Sequence, residues 1–188
     1  MSEPVITREE MLANHVSRAS EMKGSRLAFL DQRIPAHERE NINIIGLNVT
    51  ENVDDPALEP LISAPAHGFS VGYIRAENGR GAALHMHETE EVFIPMRGQW
   101  EIYWMKGDEE ESVTLDVGDV VNVPVGIYRG FRCACDDPDA LMLAVVGGPD
   151  PGKPGWHPSV VDAAPETPHQ LHQQGNQVRR AGMPTAGP

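Results

Sequence analysis

His85 and His87 stand one residue apart at the end of the run Gly79-Arg-Gly-Ala-Ala-Leu-His-Met-His, and Glu91 follows His87 by four residues. If the run is a strand, side chains alternate faces, so the two imidazoles project to one side and converge. Glu88-Thr89-Glu90 offers a polar step where the chain can turn, and Val92-Phe93-Ile94 then resumes a β-rich run, so Glu91 can return a carboxylate to the same point. Two imidazoles and a carboxylate with open positions make a ligand set for Fe(II), Mn, Zn or Ni, and the facial arrangement suits iron oxygenases in particular. The blander reading is an exposed step between strands in which these groups are simply solvated. Glu88 and Glu90 are expected to face solvent or to orient the ligands from outside the metal's own contacts.

Elements of matching type surround this stretch. The chain's 188 residues suffice for one domain with a proper core, and its 18 Gly and 16 Pro favour short elements joined by many turns. This leans the fold class to all-β. From Phe69 onward short β-like runs recur at 69–76, 82–87, 91–96, 99–105, 112–115, 119–123, 127–133 and 141–146, with Gly, Asp, Asn and Pro between them. That spacing predicts a sandwich or barrel. Ahead of it, residues 1–68 are expected to form a helix capped by Thr7 through Glu10 and stopped by Gly24, an extended arm, and a strand over 41–49. Residues 147–188 should wrap irregularly, anchored near Trp156-His157-Pro158, and continue as a flexible Pro/Gly-rich tail.

Twenty-eight acidic against 15 basic residues leave a net charge of −13, which argues against nucleic acid as a partner, since that needs clustered positive charge. No run approaches the roughly 20 apolar residues of a membrane span. The acidic N-terminus does not resemble a secretory signal, so a cytoplasmic location is expected. Cys133 and Cys135 are too few and too close for a disulfide framework and read as small core residues.

Two motifs in this sequence resemble those of the cupin superfamily. The first, Gly, five residues, His, one residue, His, three or four residues, Glu, six residues, Gly, is met by Gly79, His85, His87, Glu91 and Gly98. The second, Gly, five residues, Pro, one residue, Gly, two residues, His, three residues, Asn, is met by Gly118, Pro124 and Gly126, but Arg129 stands at the histidine and Cys133 at the asparagine. The resemblance implies a double-stranded β-helix (a jelly-roll barrel) over about 69–146, one central divalent transition metal, and often a homodimer. It leaves the reaction open, because cupins include oxygenases, isomerases, lyases and metal-free binders.

Arg129 is the informative departure, because a permanent cation cannot ligate a metal. Three readings stay open at this position. Arg129 could hold a substrate carboxylate beside three metal ligands, His67 or His157 could supply a fourth, or Arg129 could pair with Glu91 while metal affinity is lost. Phe131, on the same face, is expected to line the pocket or fill the barrel. Tyr128 is a candidate for proton transfer, although alternation turns it away from Arg129. Which face of 99–105 carries Trp100, Ile102 and Trp104 stays open. The combined expectation is a small-molecule enzyme holding Fe(II) or, failing that, Mn, Ni or Zn at His85, His87 and Glu91, most simply a dioxygenase for a small organic acid or phenol. A non-catalytic ligand-binding or regulatory cupin and a metal-dependent isomerase or lyase are the alternatives.

Overall fold

A computed structural model of the protein describes residues 5–46, 49–62, 68–148, 150 and 152–165. Ten strands pack as two five-stranded sheets, and every strand pairing is antiparallel. The first sheet runs β1 (Glu40–Ile45), β2 (Phe69–Arg75), β9 (Leu141–Gly147), β4 (Glu91–Arg97) and β7 (Val121–Val123). The second runs β10 (Gly155–Trp156), β3 (Gly81–Met86), β8 (Arg129–Cys133), β5 (Trp100–Lys106) and β6 (Glu109–Leu115). Strands distant in sequence thus become neighbours, as a barrel wound from two sheets requires.

The runs expected from Phe69 to Val146 coincide with β2 to β9. The stretches on either side also join the sheets, β1 at the edge of the first and β10 at the edge of the second. Register fixes which faces look inward. Ile74, Met142, Ala144, Phe93 and Val123 from the first sheet meet Ala82, Trp100, Ile102, Phe131 and Cys133 from the second in one apolar core. Phe131 sits at its centre, with ring centroids 5.2 Å from Phe93 and 6.2 Å from Trp100. Cys133 is buried there as a free thiol, with Cys135 packed against the same core.

Three expectations for the flanks need correction. The opening helix, α1 (Arg8–His15), has the Thr7–Glu10 capping box but ends nine residues before Gly24 and buries none of its side chains. Capping starts a helix, yet a short one extends only where its apolar face finds a surface. The arm contains a buried single-turn helix, Leu30–Arg33, rather than extended chain throughout. Finally, the wrap, ordered to about residue 165 as expected, takes regular form at its anchor, in β10 and the short helix α2 (Pro158–Ala163), while the flexible tail expected after it lies outside the described residues. Trp156 drives this, 3% exposed and donating its indole N–H to Glu51 at 2.8 Å. Among the described residues no helix is long and apolar enough to cross a membrane.

Candidate metal centre

A bulge in β3 aims the two histidines. Ala82 pairs with Phe131 and His85 with Arg129, so Ala83 and Leu84 together oppose Gly130. One extra residue on β3 reverses the alternation. Ala82 and His85 therefore both face the interior, while Ala83 and Leu84 pack outside with Leu30, Trp156 and Val160. Gly130 is required opposite the bulge. A Cβ there would meet Tyr103 Cζ at 2.2 Å, and its absence lets the Tyr103 hydroxyl donate to Ala82 O at 2.8 Å.

His85, His87 and Glu91 are 5%, 4% and 4% exposed, and their ligand atoms all lie within 4.8 Å of one another. The Nε2 atoms of His85 and His87 are 3.8 and 3.9 Å from Glu91 Oε2. His85 Nδ1 lies 2.8 Å from Ala83 O. A carbonyl only accepts, so Nδ1 carries a proton and Nε2 is the ring nitrogen turned to the group. Burial lowers the His87 pKa to about 4, against the pull of Glu91 and with help from His85 and Arg129, so its imidazole is neutral at neutral pH. Burial alone would raise Glu91, but the charge of Arg129, with His87 and His85, overcomes it and holds the carboxyl well below the usual carboxylate range. A neutral His87 imidazole and an ionised Glu91 carboxylate are protonation states a divalent metal needs. The donor set fits such an ion, with these three side chains as its ligands.

Arg129 is 1% exposed and already engaged. Its Nε donates to Glu91 Oε2 at 3.0 Å and its Nη2 donates to the same oxygen. Its Nη1 reaches the carbonyls of His85 and Ile127 at 3.3 and 3.4 Å. The guanidinium therefore forms an ion pair with Glu91 and does not stand free as a clamp for a substrate carboxylate. Phe131 does line the cavity, edge-on to His85 at 6.4 Å, while also filling the core. Tyr128 faces away from Arg129 and packs edge-on against His157 at 5.0 Å, which removes it from the reacting groups. His157 caps α2 through Ser159 N and is outside the cluster. His67 lies outside the described residues. On β5, Trp100 and Ile102 face the core, which settles the face left open by the sequence.

The three side chains form one wall of a cavity of about 90 Å³. Phe29, Ile74, Ala144, Val146 and Trp156 supply apolar lining, and Arg39, Asn41, Asn43 and Ser70 supply polar lining. Trp156 packs 5.6 Å from the His85 ring. Arg39 had no sequence signal, being one arginine in an irregular arm. Asn41 and Asn43 had half of one, because they alternate with Ile42 and Ile44, but alternation does not say which face is inside.

The sequence matches no family model and no curated protein. Solved structures do match. Oxalate oxidase aligns with 86% of this chain and 73% of its own at TM-score 0.52 and 15% identity. The chain shares its fold with oxalate oxidase. An RmlC-like cupin from Desulfovibrio desulfuricans matches over 43% of this chain and 72% of its own, at TM-score 0.37 and 20% identity. A double-stranded β-helix protein from Klebsiella pneumoniae covers 68% of this chain and 94% of its own, at TM-score 0.44 and 17% identity. Within this two-sheet barrel the first motif read from the sequence supplies the clustered groups, and the second supplies Arg129, which bonds to one of them.

Proposed function

We propose that this cupin is a metal-dependent enzyme, most simply a non-haem Fe(II)-type dioxygenase acting on a small organic acid or phenol. The observation that carries the reading is the buried His85–His87–Glu91 group on the wall of an otherwise largely apolar cavity. A divalent transition metal held by these residues would supply Lewis acidity and open positions for substrate and dioxygen. The chain's own residues set the conditions. Ala83 O orients His85, burial keeps His87 neutral, and Arg129 keeps Glu91 anionic. Phe131, Trp156 and Val146 line the site with apolar surface, which strengthens charge interactions beside it. At roughly 10–15 Å³ for each water-sized centre, a cavity of about 90 Å³ suits a compact substrate.

Metal analysis of tag-free protein tests the reading. About one equivalent of a transition metal, lost in His85→Ala, is the expected result, followed by dioxygen uptake with a panel of small acids and phenols. Less than a few tenths of an equivalent, unchanged in His85→Ala, sinks it. Arg129 at the position of the motif's histidine, bonded to Glu91, favours a second reading, a cupin that binds a small ligand without catalysis. A ligand that raises the melting temperature equally with and without chelator identifies that case.

A further inference from the structure

The cavity has a second polar wall, and β1 builds it by facing inward with its polar side. In register, Asn41 pairs with Ile74 and Asn43 with Gly72. Paired residues share a face, and Ile74 belongs to the barrel core beside Met142 and Ala144 of β9. Asn41 and Asn43 therefore point into the barrel, while Ile42 and Ile44 are buried on the opposite face. Ser70 lies on the inward face of β2, opposite Val146, and also lines the cavity. An inverted strand that places amides where packing calls for apolar groups is a cost to stability, and such exceptions gather at functional sites.

The hydrogen bonding along this wall is incomplete. Asn43 donates to Leu58 O at 3.0 Å, but the buried Oδ1 of Asn41 and Nε of Arg39 have no partner. Nothing in the strand pairing accounts for an orphaned polar atom beside a cavity, whereas a bound molecule would. The charges narrow the choice further. Arg39 gives its two terminal nitrogens to Asp31 at 2.8 and 2.9 Å, leaving only Nε unpaired, and Arg129 is paired with Glu91. The charge of each cation is already paired with a carboxylate, so an acid would present its carboxylate at the His85–His87–Glu91 end and a hydroxyl at β1. Phe131 spans the two ends, 6.4 Å from the His85 ring and 5.8 Å from the Arg39 guanidinium carbon.

We infer that Asn41, with Ser70 beside it on the inner face of the first sheet, is a specificity residue whose Oδ1 accepts from a hydroxyl of a small hydroxylated carboxylic acid. This rests on the proposed metal centre for the position of the carboxylate. It selects the acid over the phenol, because a simple phenol offers nothing for the β1 wall to bond. A site built to bond a hydroxyl discriminates against the analogue that lacks it, since the protein group is then left unpaired.

The test uses L-malate against succinate, which differ by one hydroxyl, with catechol as the phenol. Affinities are measured by calorimetry for the full-length wild type and Asn41→Leu, each saturated with Mn(II) and each treated with chelator. Wild type should prefer malate to succinate by about tenfold or more, the worth of one such hydrogen bond, and Asn41→Leu should bring the ratio to within about twofold. Without ligand, Asn41→Leu should melt no lower than wild type, because the removed oxygen has no partner. Should that variant fail to fold, Asn41→Ala is read in the same way. A ratio near one in wild type, a ratio unchanged by the variants, tighter binding of catechol, or no binding of either acid in either state overturns the inference. Absence of Mn(II) uptake with the malate preference intact in chelator refutes the metal reading while leaving the role of Asn41 standing.

Discussion

Replacing Arg129 with methionine should expose what the buried ion pair does. Its side chain and that of Glu91 are 2% and 6% exposed, and both guanidinium contacts go to one carboxylate oxygen. Removing the arginine leaves a carboxylate in the barrel interior beside the imidazoles of His85 and His87. Breaking one side of such a pair typically costs about 3–5 kcal/mol, because the remaining charge is desolvated without compensation. For a chain of 188 residues that corresponds to a fall of about 6–20 °C in melting temperature. Burial would then dominate at Glu91 and lift its pKa, so the penalty should shrink as pH falls and the carboxyl protonates. Arg129→Met/Glu91→Gln removes both charges and should recover much of the loss. A divalent metal should also rescue the single variant, since it replaces the missing positive charge. Urea unfolding followed by tryptophan fluorescence, with and without metal, measures all of these. A loss under about 1 kcal/mol in Arg129→Met, or a double variant no more stable than the single one, would refute the account.

Two other outcomes follow from the same packing. With chelator present, stability should decline as pH falls from 6.5 toward 4, because the unfolded chain protonates His87 at its ordinary pKa while the folded chain resists until about 4. The contribution is fully present above the unfolded value and amounts to about 3 kcal/mol at most, and His87→Gln should flatten that limb of the urea-midpoint profile. Trp156→Ala should cost about 3–5 kcal/mol, because it empties a buried site and removes the indole bond to Glu51 Oε1, and limited proteolysis should then cut first in the segment that carries β10 and α2.

Much of the barrel was legible because strand-forming runs and turn residues are local signals. The runs between Phe69 and Val146 needed no tertiary information, nor did the Thr7–Glu10 cap, which depends on four consecutive residues. The ends of α1 and the regular structure around Trp156 were not legible, since both depend on whether a surface exists elsewhere for apolar side chains to cover. Trp156 finds one against Ala83, Leu30 and Val160, and the face of α1 finds none.

At the candidate site, the sequence by itself determined which groups could meet. The His-x-His spacing, the turn before Glu91 and the arginine at position 129 are all written in neighbouring residues. Only the tertiary structure decided how they meet. The β3 bulge that faces His85 inward is a relation between β3 and β8, the bond between Arg129 and Glu91 joins strands of different sheets, and the inward face of Asn41 depends on its pairing with Ile74. Alternation gives a strand two faces but no inside, and the inside exists only once the second sheet closes over the first.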